Sequence, residues 1–273
     1  MRGRLASLRA LGECGPEKKV VSLEGSRFVT LYRMFKKLLH TCRVLTLLTV
    51  VATSAERPPN VIVVMVDDMG YGGLSCFDNP HYKTPEIDRL IADGMKLTDF
   101  HSNGVVCSPT RAAFMTGRYQ QRSGLDAVVN ADPRVAMHHI GMHEKEWTMA
   151  EALKEAGYAT GIMGKWHLGY KPEYNPTLHG FDSFNGFISG NIDAHSHRDR
   201  MGKEDWWQGT VLKDEPAYHT DLINNHAVKF IEQNKERPFF LYVSHGAPHS
   251  PFQARGSKVQ RGPLRGTVPE WGD

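Results

Sequence analysis

One short segment, VVCSPTRAAFMTG at residues 105–117, carries residue types that could do chemistry. Ser108 is a favourable N-cap and Pro109 suits the first position of a helix, so this segment predicts a short helix. Cys107 is then expected just before the first turn, where unpaired amides and the helix dipole favour negative charge. Arg111 follows one turn later. The pattern indicates a reactive position at Cys107, although a lone cysteine is more often a small buried side chain.

Three apolar runs each end in polar residues. The run at 61–66 is continuous rather than alternating, which predicts a central strand of a parallel sheet, buried on both faces. Ligands bind at the carboxyl ends of such strands in open α/β sheets. The polar residues that follow the three runs are, in chain order, Asp67, Asp68, Lys165, His167 and His249. Two adjacent carboxylates at a strand end favour a hard cation such as Ca²⁺ or Mg²⁺, whereas in an ordinary turn they would be solvated.

Helical patterns separate these strands. TPEIDRLIADG at 84–94 predicts an amphipathic helix, Thr148 and Glu151 form a capping box, and a longer helix is expected over 220–233. Alternating strands and helices predict an α/β fold, a three-layer sandwich with a mostly parallel central sheet. Residues 178–209 show no clear period and are expected to form a long functional loop.

The first 55 residues have the layout of a leader. Two lysines behind Met34, an apolar stretch at 44–52 and small residues at 53–55 predict a signal peptide over 34–55, and hence export to the periplasm or outside the cell. The apolar stretch is too short to predict stable membrane insertion. Residues 1–33 are expected to be an upstream extension, and residues 56–273 to form the folded part.

Composition narrows the classes of partner. The net charge is +3, and much of the basic excess lies in the first 45 residues, so no nucleic-acid-binding face is expected. Beyond the predicted leader only Cys76 and Cys107 remain, too few for a disulfide scaffold in an exported protein of this size.

CSPTRAAFMTG resembles the C-x-P-x-R signature of the sulfatases. Further segments resemble that family in family order over about residues 59–253: PNVIVVMVDDMGYG, TPEIDRLIADGMKLTDFHSN, GYATGIMGKWHLG, HGFDSFNGF and PFFLYVSHGAPHSPF. Several ordered segments are far more specific than one five-residue motif. The resemblance implies an alkaline-phosphatase-like α/β fold and a hydrolase of aryl or carbohydrate sulfate esters.

The resemblance also implies a nucleophile and a metal. A formylglycine-generating enzyme would oxidise Cys107 to formylglycine, and one hydroxyl of the aldehyde hydrate would attack the sulfur of the ester. The second hydroxyl would then lose its proton and expel sulfate. Asp67, Asp68 and the modified Cys107 would ligate a Ca²⁺ ion.

Four further roles carry over from the family. Arg111 would hold the hydrate and neutralise charge, and Lys165 would bind sulfate oxygens. His167 would take part in the proton transfers of the hydrate, and His249 would donate a proton to the leaving oxygen. The loop at 179–197 is expected to help form the substrate pocket.

The sequence departs from the family after His249. The later Asp-Asn pair that completes the family's calcium site does not follow in this chain, and no segment after residue 253 resembles the one that carries the family's further lysine. The remaining strands and a small C-terminal domain are also expected in the family. The resemblance therefore predicts the N-terminal portion of a sulfatase catalytic domain, with its C-terminal part missing.

Other functions remain open from the sequence. One is a related formylglycine-dependent hydrolase of phosphate or phosphonate esters. Another is an inactive fragment or pseudoenzyme, and a third is direct nucleophilic attack by the Cys107 thiol with a histidine base.

Overall fold

The computed structural model describes residues 33–39 and 57–257. Residues 33–39 form a short exposed helix, α1. Arg57 begins a separate compact unit. The rest of the predicted signal peptide, with its cleavage site after Ala55, lies outside the described residues. None of the described helices has the length and apolar character needed to cross a membrane.

The second unit contains one six-stranded sheet and five helices among its described residues. The strands are β1 Val61–Asp67, β2 Ala159–Lys165, β3 Ser183–Phe187, β4 Trp207–Gln208, β5 Val211–Leu212 and β6 Phe239–Pro248. The helices are α2 Pro85–Asp93, α3 Cys107–Thr116, α4 Gln120–Ser123, α5 Met149–Glu155 and α6 His219–Asn234. The capping box of α5, Thr148 with Glu151, is present as predicted.

The strand order of the sheet is β1-β6-β2-β3-β4-β5. The first four strands in this order run parallel, while β4 and β5 are short antiparallel additions. The predicted mostly parallel α/β sheet is therefore confirmed. Because β1, β6 and β2 are adjacent and parallel, their carboxyl ends meet at one edge.

Two hydrophobic cores lie on opposite faces of the sheet. Phe240 and Tyr242 of β6 pack into a cluster that includes Ala112 of α3 and Ala150 of α5. Their neighbours along the strand, such as Leu241, face a second cluster with residues of α6. Alternate side chains of a strand point to opposite faces, so one strand serves both cores. This arrangement confirms the three layers.

Strand β1 differs from its prediction. The side chains of Ile62 and Val64 are 48% and 60% exposed, so the expectation that both faces of this strand are buried is wrong for the described residues. The reason is position: β1 is the outermost strand of the described sheet, and only its opposite face, with Val61, Val63 and Met65, packs against a core.

Two local predictions also need correction. The N-cap of α3 is Val106 rather than Ser108, so Cys107 is the first helical residue. Ser108 is instead fully buried inside the first turn. The predicted long loop at 178–209 contains β3 and β4, because buried aromatic residues such as Phe184 and Phe187 extend the sheet there.

Candidate active site

The carboxyl ends of three adjacent strands and the start of one helix build the site. Asp67 is the last residue of β1, Lys165 is the last residue of β2, and His249 directly follows β6. Cys107 begins α3. One ligand atom each of Asp67, Cys107 and His249 lie within 4.8 Å of one another. The structure therefore brings these residues together as the sequence predicts.

Asp67 is the buried anion of the site, with 6% of its surface exposed. The Nζ of Lys165 lies 2.5 Å from its Oδ2, and the Nη2 of Arg111 lies 3.4 Å from its Oδ1. Burial raises the pKa of Asp67, but the charges of Lys165 and Arg111 outweigh it and the net shift is downward. Asp67 is thus held ionised between two cations.

The Cys107 thiol lies against the same pair. Its Sγ is 3.5 Å from Oδ1 of Asp67 and 3.2 Å from Nζ of Lys165. Burial raises the pKa of Cys107, yet the interactions with His249 and Lys165 lower it overall. A thiol with a lowered pKa and a neighbouring cation is a chemically reactive one.

Arg111 lies beneath the site rather than at its surface, with 2% exposure. Its Nη1 donates to the Lys165 carbonyl at 3.1 Å, to the Tyr242 hydroxyl at 3.2 Å and to Oγ of Ser244 at 2.5 Å. With its contact to Asp67, this guanidinium joins β1, β2 and β6.

Tyr242 and Ser244 were missed by sequence reasoning. The signal that could have found Ser244 is its polarity inside an apolar strand, since buried hydroxyls are nearly always paired.

His167 follows β2 in a left-handed backbone conformation, with φ of 57°. Its ring is 4% exposed, and its Nε2 lies 2.9 Å from the Val129 carbonyl. Its Nδ1 has no hydrogen-bond partner among the described residues. Burial, followed by the charge of Lys165, puts the pKa of His167 well below its ordinary value. The ring is therefore neutral near pH 7.

Asp68 and His249 form the more open part of the site. The side chain of Asp68 is 62% exposed, and its Oδ2 lies 3.8 Å from Nε2 of His249. The Nδ1 of His249 lies 2.7 Å from the Ser250 carbonyl. The contact with the Cys107 sulfur raises the pKa of His249, although burial opposes it. His249 is thus the histidine of the site that favours its protonated form.

The donors present match part of a calcium shell. Ca²⁺ takes six to eight oxygen ligands, and Asp67 and Asp68 supply carboxylate oxygens of this kind. The sulfur of Cys107 is a poor ligand for a hard cation, whereas an oxygen at the same position would fit. Among the described residues the close group is Asp67, Cys107 and His249, while Asp68 contacts only the outer member, His249, at 3.8 Å. An oxygen at residue 107 would improve the fit of this group to calcium.

A cavity of about 850 Å³ opens onto the site. Asp67, Asp68, Cys107 and Arg111 line one side of it, and its other lining residues come from the segment 65–114 and are largely apolar. The loop at 179–197 does not line this cavity. It contacts the segment after β6 instead, where Asn191 Nδ2 donates to the Ser250 carbonyl at 2.7 Å. A role of that loop in substrate binding stays a prediction.

Comparison with known proteins agrees with this geometry. A family model described as Sulfatase matches residues 59–261. N-acetylgalactosamine-6-sulfatase of Canis lupus familiaris is 37% identical over 220 residues, covering 74% of this chain and 42% of the relative. Steryl-sulfatase of Mus musculus is 42% identical over 152 residues, covering 52% and 24%.

A solved structure shows the same fold. The crystal structure of Ps i-CgsB in complex with k-i-k-neocarrahexaose has 31% identity and a TM-score of 0.65, with 72% of this chain and 47% of that chain covered. The chain spans less than half the length of each relative compared here. The family model covers most of the second unit, from β1 beyond β6. This chain belongs to the sulfatase family.

Proposed function

We propose that this chain hydrolyses sulfate esters through a formylglycine hydrate made from Cys107, with a Ca²⁺ ion. The observation that carries the proposal is the position of Cys107 at the start of α3, 3.2 Å from Nζ of Lys165 and 3.5 Å from Oδ1 of Asp67. Membership of the sulfatase family supports the same reaction class.

Lys165 supplies positive charge where the sulfate binds. A sulfate ester carries negative charge, and the ammonium group of Lys165 reaches the nucleophile position from a fully buried stem. Arg111 acts from below: it fixes the Lys165 carbonyl and the Asp67 carboxylate, and so sets the spacing between the two strand ends. Such fixed charges stabilise a transition state without rearranging.

The two histidines suit opposite proton transfers. His249 lies in the open part of the site, with its Nε2 3.8 Å from Oδ2 of Asp68, and would donate a proton to the leaving oxygen. Burial lowers the pKa of His167 and so keeps its ring neutral, and the lone pair of its unpartnered Nδ1 would accept a proton.

Asp67 and Asp68 would hold the calcium ion together with the oxidised residue 107. Bound there, the ion would supply additional positive charge for the ester and the nucleophile. The carboxylate of Asp67 already pairs with the cations of Lys165 and Arg111, whereas the side chain of Asp68 is largely exposed. Asp68 is therefore the more accessible oxygen donor.

The substrate class we propose is a carbohydrate sulfate. One relative is named for N-acetylgalactosamine-6-sulfate, and the solved structure with the same fold holds an oligosaccharide. The relative named steryl-sulfatase makes a smaller aryl or steryl sulfate the competing substrate. We also propose a formylglycine-generating enzyme as the maturation partner, and export through the signal peptide predicted at 34–55.

The test is an assay of the full chain produced together with a formylglycine-generating enzyme, with added Ca²⁺. We expect release of sulfate from a sulfated sugar or aryl sulfate, and none from the Cys107→Ala variant. Cys76→Ala, which removes the other free cysteine of the described residues, is the matched control and is expected to keep activity. Faster turnover of the paired phosphate ester would favour a phosphate or phosphonate hydrolase instead. No turnover of either ester by chain that carries formylglycine would favour an inactive fragment or pseudoenzyme.

One observation favours a second function, direct attack by the Cys107 thiolate. The pKa of Cys107 is lowered by His249 and Lys165 against the effect of burial, as in thiol-dependent hydrolases. In that case the unoxidised chain would be active, and alkylation of Cys107 would abolish its activity. Activity that requires the formylglycine-generating enzyme would exclude it.

A further inference from the structure

Ser108 follows the nucleophile position but does not cap the helix. Its side chain is fully buried, and its Oγ accepts a hydrogen bond from the Val129 amide at 3.1 Å. This contact joins the first turn of α3 to a segment 21 residues further along the chain. A buried amide must be paired, so the hydroxyl fixes the position of the Val129 backbone.

The carbonyl of the same residue, Val129, contacts His167. It lies 2.9 Å from Nε2 of His167. A carbonyl oxygen only accepts hydrogen bonds, so Nε2 of His167 must carry a proton in this contact. Because the ring is neutral, the other nitrogen, Nδ1, then has a free lone pair.

The ring of His167 has little room to turn away from this contact. A Cβ added at Gly190 would lie 2.6 Å from its Cε1 and 2.7 Å from its Nε2, so the backbone of Gly190 packs directly against the ring. The Nδ1 is buried and has no hydrogen-bond partner among the described residues. It is therefore available as a proton acceptor.

We propose that Ser108 is a positioning residue for His167. Its hydroxyl holds the Val129 backbone, and the Val129 carbonyl holds His167 with the proton on Nε2 and the lone pair on Nδ1. The catalytic consequence rests on the proposed function: His167 can accept a proton at Nδ1 only in this tautomer. The residue beside the nucleophile thus prepares the base that serves it.

The test is long-range proton–nitrogen NMR of the full chain labelled with ¹⁵N-histidine, which distinguishes protonated from unprotonated ring nitrogens. The signal of His167 is assigned with the His167→Gln variant. In the wild-type chain we expect one tautomer, protonated at Nε2. In Ser108→Ala we expect a mixture of tautomers, and hydrogen exchange at the Val129 amide faster by about three- to tenfold, because one hydrogen bond is lost.

Thr110 provides the matched control. It lies in the same turn of α3, and its Oγ1 donates to the Gly104 carbonyl at 2.9 Å rather than contacting Val129. Thr110→Val is expected to leave the His167 tautomer unchanged. Ser108→Thr keeps the hydroxyl and is expected to keep the single Nε2-protonated tautomer of the wild-type chain, unlike Ser108→Ala.

A wild-type His167 protonated at Nδ1 overturns the proposal without any variant. A single Nε2-protonated form retained in Ser108→Ala also overturns it. If the tautomers respond as expected while the wild-type chain hydrolyses no sulfate ester, the positioning role stands and the proposed function fails.

Discussion

Asp67 and Asp68 are neighbours in the sequence and differ sharply in the structure. Asp67 completes β1, is buried, and contacts the cations of Lys165 and Arg111. Asp68 leaves the strand with φ of 62°, and most of its side chain is exposed. One step beyond the end of a strand therefore changes a carboxylate from part of the core into part of an open surface.

The same contrast divides the whole site. We call Asp67, Arg111 and Lys165 the closed wall, because each is buried and contacts another member. We call Asp68 and His249 the open wall, because they are 3.8 Å apart and partly solvated. We expect the free energy of unfolding to depend on the residues of the closed wall. Substitutions in the open wall should affect it little.

The largest difference is expected between Asp67→Asn and Asp68→Asn. Removing the charge of Asp67 leaves two buried cations without their anion, which costs about 3 to 5 kcal/mol of unfolding free energy. Asp68→Asn changes an exposed side chain and should stay within about 0.5 kcal/mol of wild type. Urea unfolding of both variants measures the difference. Equal costs would show that the two walls do not differ as described.

A smaller effect is expected for Arg111→Lys. An ammonium group cannot reach the carbonyl, hydroxyl and carboxylate partners that the guanidinium binds on three strands, so we expect a loss of about 2 to 3 kcal/mol. Arg118→Lys is the control, because Arg118 is 45% exposed and pairs with Glu146 near the surface. That variant should lose less than about 1 kcal/mol. Thermal unfolding of the two variants compares them, and a control that loses as much as Arg111→Lys would contradict the closed wall.

The smallest effect concerns the open face of β1. Ile162 of β2 is fully buried, and Ile62 of β1 is 48% exposed. Ile162→Val should cost about 1 kcal/mol and Ile62→Val about 0.3 kcal/mol, since the same methylene group is removed from a packed and from a solvated position. Equal costs in urea unfolding would mean that this face of β1 is covered in solution.

Much of the fold could be predicted from local patterns. The β1 run, the capping box at Thr148 and the polar residues at the ends of β1, β2 and β6 all depend on neighbours in the sequence, and each element forms. The exposure of Ile62 could not be predicted, because it depends on which strand lies beside β1.

The sequence predicts which residues form the site, but it does not predict which side chains contact each other. Residue types and strand ends identified Asp67, Cys107 and Lys165, which the structure brings together. The buried hydrogen bond from Arg111 to Ser244 could not be predicted from sequence spacing, because 133 residues separate the two. Ser108 was predicted as a cap from its residue type, yet its hydroxyl binds a backbone amide of a distant segment.

The most direct test of the central claim is peptide mass spectrometry of the chain produced with a formylglycine-generating enzyme. The peptide that contains Cys107 is isolated and its mass compared with that of the same peptide from chain produced without the enzyme. We expect an aldehyde at residue 107, with the thiol sulfur replaced by oxygen. A Cys107 that stays an unmodified thiol would contradict it.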